Sequence, residues 1–180
     1  MKQLYSALLV LLFFNSIQAQ DDEKTKGLYY KVSLAATLTI NQDYTIGDDD
    51  SGSFLIPNAL FLNNSIGYQF DRRSMIGLNF EFDRYVDQQL SFFPIYFDFT
   101  YNLFDFDDLI FIRSGYGRLI DLGGSFQPGT TYKAGLGFRT FDDDYRNSFL
   151  IGLDFSRKRF GFRQTEKLTS VSIFLEFMLF

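Results

Sequence analysis

The chain has 180 residues, a formal net charge of −5, no cysteine and no histidine. Disulfides, cysteine-ligated metal and histidine acid–base chemistry are excluded, and the basic footprint of a nucleic-acid binder is missing. Phenylalanine (24) and tyrosine (11) are abundant and tryptophan is absent.

The first residues read as an export signal. Lys2 is followed by a short apolar run, Leu4 to Phe14, and by Ile17-Gln18-Ala19, which ends on a small residue suited to cleavage. Charge, short apolar run and small-residue site is the order of a secretory signal. The run is too short for a spanning helix, which needs roughly 20 apolar residues. Residues 1–19 are expected to be a signal peptide, 20–26 a short periplasmic segment, and 27–180 one domain.

From residue 27 onward, apolar and polar residues alternate. Period-two patterning predicts eight strands, at 27–40, 58–70, 73–86, 90–103, 108–118, 129–141, 146–158 and 168–180. In the first, Leu28, Tyr30, Val32, Leu34, Ala36, Leu38 and Ile40 oppose Tyr29, Lys31, Ser33, Ala35, Thr37 and Thr39. In the second, Asn64 falls on the apolar face with Leu60, Leu62, Ile66 and Tyr68. The third sets Ile76, Leu78, Phe80 and Phe82 against Gly77, Asn79, Glu81 and Asp83. In the fourth, Phe93, Ile95, Phe97, Phe99 and Tyr101 form the apolar face. The fifth puts Ser114 beside Ile110, Ile112 and Tyr116, with Arg113 opposite. The seventh sets Phe149, Ile151, Leu153 and Phe155 against Gly152 and Asp154. In the last, the apolar set ends at Leu179, which turns Phe180 the other way.

These segments match the roughly 9–11 residues that a tilted strand needs to cross a bilayer, rather than the 5–6 common in soluble domains. The connections are also asymmetric. Those at 71–72, 105–107 and 142–145 are short and acidic, whereas 41–57, 119–128 and 159–167 are longer and 87–89 is a short exception. Short periplasmic turns and longer outer loops are the habit of bacterial barrels. The fold class expected is therefore all-β, an eight-stranded antiparallel up-and-down transmembrane β-barrel with both termini periplasmic.

Eight strands enclose an interior just wide enough for side chains to fill. The polar faces carry Lys31, Arg113, Lys133 and Arg139 together with Glu81, Asp83, Asp98, Asp154 and Glu176. Unpaired, such groups are costly to bury, so they are expected to pair across the lumen. The inverted assignment, a soluble lipocalin-like barrel, is the alternative the pattern leaves open.

The aromatic end Phe174-Leu175-Glu176-Phe177-Met178-Leu179-Phe180, with the strand count and loop asymmetry over 27–180, resembles the small eight-stranded outer-membrane barrels that include outer-membrane proteins A and X. That resemblance implies recognition of the last strand by the barrel-assembly machinery through a terminal Phe. Enzymes among such barrels use a histidine, which this chain lacks, so a non-catalytic structural or surface-interaction role is expected, without cofactor or metal. A narrow channel or a carrier of a hydrophobic ligand is the alternative.

Three surface features stand apart. Asp48-Asp49-Asp50-Ser51-Gly52 has the charge of a calcium loop without its spacing, and reads better as a solvated acidic tip. Arg157, Lys158, Arg159, Arg163 and Lys167 gather at the last outer loop, where they suit phosphates of lipopolysaccharide or form an exposed loop of mixed charge. Aromatics near strand ends (Tyr30, Phe70, Tyr85, Phe92, Tyr101, Phe104, Tyr116, Tyr132, Phe141) suit interfacial girdles. The expected surroundings are outer-membrane lipid and lipopolysaccharide, with a monomer and no nucleic-acid partner.

Overall fold

The structure, a computed structural model, describes residues 26–40, 55–86, 88–104, 109–142 and 147–180. The expected signal peptide, all of the 20–26 segment but Lys26, the acidic tip at 48–52 and the turn at 105–107 lie outside them.

Nine strand segments form one sheet: β1 (Gly27–Ile40), β2 (Leu55–Gln69), β3 (Ser74–Tyr85), β4 (Leu90–Phe92), β5 (Pro94–Asn102), β6 (Leu109–Leu119), β7 (Gly129–Phe141), β8 (Asn147–Phe160) and β9 (Glu166–Leu179). Each pairs antiparallel with its neighbour, and β1 pairs with β9 from Tyr30↔Leu179 to Thr39↔Ser170. The sheet therefore closes and has no free edge, which is how strands satisfy their backbone groups inside lipid. β4 and β5 both lie against β3 and are two pieces of one spanning strand, so the barrel has eight. The eight expected strands are all present, two with the expected ends and the others with ends shifted by a few residues.

Two of the differences have a cause in proline. β2 begins at Leu55, three residues before the alternation does, and Pro57 lies opposite Leu38 where a bulge interrupts the β1–β2 register. A bulge is one of the few places a sheet tolerates a residue with no N–H to donate. The fourth spanning strand breaks at Phe93, directly before Pro94, which also has no N–H for the ladder. The edge of β4 is instead covered by the 120–128 connection: Ser91 N donates to Ser125 O and Gln127 N to Ser91 O, both at 3.3 Å.

Gly27, Phe180 and the 70–73 turn lie at one mouth of the barrel. Ile40, Leu55 and the 120–128 and 161–165 connections lie at the other. In the 70–73 turn, the backbone N–H groups of Arg73 and Ser74 donate to Asp71 Oδ1, both at 2.7 Å. Those two bonds hold the Asp71 carboxyl below the usual carboxylate range.

The outward face is apolar and the inward face polar, the reverse of a soluble domain. Leu28, Leu62, Ile66, Phe97, Leu136, Ile151, Phe155, Ile173 and Phe177 are exposed, while Lys31, Glu81, Asp83, Asp98, Asp154 and Glu176 are buried. That inversion removes the lipocalin-like alternative. Asn64 stands on the apolar outer face as expected, and Tyr30 Oη on the neighbouring strand donates to its Oδ1 at 2.6 Å. Tyr30→Phe is expected to strand that acceptor at a cost of about 1–2 kcal/mol, read as a lower urea midpoint for unfolding from lipid vesicles.

Candidate functional site

The lumen is the most constructed part of the molecule. Alternation along a closed sheet aims every second side chain inward, and the axis is narrow enough for charges on distant strands to meet. Arg113 on β6 is the central cation. Its Nε and Nη2 donate to the two carboxylate oxygens of Asp154 at 2.8 and 2.5 Å, and its Nη1 donates to Glu176 Oε1 at 2.6 Å. Its guanidinium also stacks 3.8 Å from the centre of the Phe174 ring. Lys31 lies 3.7 Å from both Glu176 and Asp98. Asp98 is held in turn by Asn79 at 2.5 Å, and Asn79 by Asn63 at 2.9 Å.

Towards the mouth with the longer connections, Lys133 donates to Glu81, which also accepts from Tyr96 Oη at 3.2 Å. Lys158 pairs with Asp83 at 3.0 Å and donates to Tyr85 Oη at 3.1 Å. Above this layer the lumen turns apolar. Phe61, Tyr85, Phe92 and Phe160 stack in succession with ring centres 5.0–5.7 Å apart, all buried, with Leu119 in the same cluster.

Sequence-based expectations for these charges need two corrections. Lys158, expected among the outward cations, is fully buried in the lumen. β8 stays regular through Phe160, so Lys158 keeps the inward parity of Asp154 and Ser156. That parity is the signal the sequence holds, masked by the position of Lys158 at the end of the expected strand. Arg139, expected to pair across the lumen, has no carboxylate partner among the described residues. It donates instead to Ser148 at 2.9 Å and Gln69 at 3.1 Å, beneath the rings of Phe141 and Phe180. The other eight inward charges expected from the sequence stand in ion pairs as described above. With Lys158 included, five cations face five carboxylates among the described residues.

Two of the girdle aromatics are also displaced. Tyr85 and Phe92 are fully buried and belong to the lumen stack. Tyr30, Phe70, Phe104, Tyr116 and Tyr132 are exposed on the outside. Phe180 turns inward against Tyr29, with ring centres 6.2 Å apart, as the odd-numbered apolar register requires.

The outward cations Arg157, Arg159, Arg163 and Lys167 remain at the long-connection mouth. The register adds one the sequence did not single out. Arg118 lies opposite Thr130, Thr130 opposite Arg159, and Arg159 opposite Lys167. Arg118, Arg159 and Lys167 thus share one lateral line across β6 to β9. The next line inward from the mouth is Phe97, Tyr116, Tyr132, Arg157 and Thr169. The Arg159 guanidinium lies 6.0 Å from the centre of the Tyr132 ring, and the Tyr116 and Tyr132 rings are 5.0 Å apart.

No family model matches the sequence, and no curated protein does. Solved structures do match. The N-terminal β-barrel domain of Pseudomonas aeruginosa OprF aligns with a TM-score of 0.50 at 12% identity, over 86% of this chain and 99% of that one. The fold is that of a small eight-stranded outer-membrane barrel. Ail, the attachment invasion locus protein of Yersinia pestis, aligns with a TM-score of 0.46 at 13% identity, over 85% of this chain and 97% of that one. A designed transmembrane β-barrel aligns with a TM-score of 0.44 at 11% identity, over 89% of this chain and all of the other. The resemblance is architectural: at such identity it carries the barrel and not its residues.

Proposed function

We propose that this chain is a non-catalytic integral protein of the outer membrane, a monomer whose lumen is closed to solutes. The observation that carries the reading is the inversion of faces. A wall of exposed Leu, Ile and Phe surrounds a core of paired charges, an arrangement stable in lipid and unsuited to water. Residues 1–19 would direct export, and the Phe174–Phe180 end would be read by the barrel-assembly machinery. The mouth with the longer connections would face outward, so that Arg118, Arg157, Arg159, Arg163 and Lys167 stand where phosphates of lipopolysaccharide are found. Closure is supported by the balance of the charge network and by the aromatic stack of Phe61, Tyr85, Phe92 and Phe160 across one mouth.

The first test is an unboiled against boiled gel of the outer-membrane fraction. The folded barrel is expected to migrate as a compact species unboiled and to shift on heating. A soluble protein with no shift would overturn the membrane reading. Planar-bilayer recording on the refolded protein is expected to give no steady conductance. Resolved single-channel steps would favour the narrow channel instead.

A further inference from the structure

The outer wall is not uniformly lined with large side chains. On β6, Ser114 occupies a lipid-facing position between Ile112 and Tyr116, and Ala134 lies opposite it on β7. A dent of about 450 Å³ opens at Ser114, lined by Ile76, Phe97, Phe99, Tyr116 and Tyr132 together with Gly115, Asp98 and Lys133. The Ser114 hydroxyl has no hydrogen-bond partner among the described residues. A filled, regular wall would place a large apolar residue here, as the neighbouring positions do.

The dent lies on the same outer face as the cation line. Ser114 and Arg118 are four residues apart on one strand, about 13 Å at the usual strand rise of about 3.3 Å per residue, with Tyr116 between them. At about 4.8 Å per strand, Arg118 and Lys167 are separated laterally by about 14 Å, with Arg159 between them. Three cations over that width exceed what one phosphate needs. The carboxylates nearby are Asp121, whose Oδ1 is taken by the Gly123 N–H at 2.8 Å, and Glu166, which packs against Gly161.

We propose that this wall holds one molecule of a multiply phosphorylated glycolipid, the lipid A part of lipopolysaccharide. Its phosphates lie on the Arg118–Arg159–Lys167 line and one acyl chain lies in the Ser114 dent. The inference rests on the outward orientation proposed above and adds a defined seat for a single lipid. Mostly apolar walls, the small residues Ser114 and Gly115, and cations at one end match the order of chain and headgroup in such a lipid, and arginines bind phosphate bidentately.

The test is native mass spectrometry of the refolded full chain in detergent, titrated with bisphosphorylated lipid A or with phosphatidylglycerol. Wild type is expected to retain one lipid A and to release phosphatidylglycerol. Ser114→Leu fills the dent with a residue that the lipid-facing wall tolerates, so the barrel is expected to fold while retention falls at least tenfold. Ser114→Ala leaves the dent open and is expected to bind like wild type. Arg118→Ala with Arg159→Ala is expected to lose retention at least tenfold. If Ser114→Leu binds like wild type while the arginine variant loses binding, the chain seat is overturned and the cation reading survives. If neither variant matters, both fall. Equal retention of phosphatidylglycerol overturns the assignment to lipid A. Failure of the membrane reading itself would show separately, as a missing heat shift.

Discussion

Arg113→Met is expected to be the most damaging removal of a single charge from the lumen, lowering the unfolding free energy by about 3–5 kcal/mol. Methionine keeps much of the packing against Phe174, so the loss is electrostatic. Asp154 and Glu176, both almost fully buried, lose the guanidinium that makes three hydrogen bonds to them at 2.5–2.8 Å. Two carboxylates left on the barrel axis repel each other and have no water to turn to. Lys31, at 3.7 Å from Glu176, compensates only one of them. The measurement is a urea titration of the protein in lipid vesicles, scored by the heat-shifted gel band. Arg113→Met combined with Asp154→Asn and Glu176→Gln removes the charges together, and is expected to recover more than half of the loss. If the single variant unfolds at the wild-type midpoint, the network is not what holds the lumen. If the triple variant is no better than the single one, the cost comes from lost packing.

Gly152→Val is expected to leave little or no heat-shifted band. Gly152 on β8 lies directly opposite Gly137 on β7. A Cβ at Gly152 would sit 2.7 Å from the Gly137 Cα and 2.6 Å from the Phe174 Cζ, and would press on the Leu136 carbonyl. At Gly137, a Cβ would meet the Phe111 Cζ at 2.8 Å. The paired glycines are thus the floor on which the two rings rest, their centres 6.2 Å apart, and the Phe174 ring in turn carries Arg113. Overpacking costs typically about 1–3 kcal/mol and more when backbone must move, as it must here. Phe174→Leu in the same chain clears only the ring contact, so it is expected to restore a minor part of the band. Full folding of Gly152→Val alone would mean that β7 and β8 can separate at this point.

The strands were legible because their period of two needs no knowledge of partners. Gly27–Ile40 and Gly129–Phe141 have the same bounds in the sequence and in the structure. The ends were less legible where a strand runs on past its clear alternation. The alternation of β2 starts at residue 58, and only the bulge opposite Leu38 shows how the strand extends back through Pro57. Lys158 shows the same weakness at the other end of a strand. Its charge pointed to solvent while its parity pointed to the lumen, and parity prevailed because Asp83 was waiting across the barrel.

The amino-acid sequence by itself determined that the chain forms eight spanning strands, which face of each is apolar, and that neither thiol nor imidazole chemistry is available. It determined these things because alternation and composition are local or additive properties. Tertiary structure alone decided which charges meet. Arg113 reaches Asp154 41 residues away and Glu176 63 residues away, whereas Arg139, on the same inward face, meets Ser148, Gln69, the Met75 sulfur and aromatic rings but no carboxylate among the described residues. It also decided that Arg118, Arg159 and Lys167 form a line and that Ser114 opens a dent beside them. Those outcomes depend on the stagger between strands, which is fixed when the sheet closes on itself and is written in no single segment.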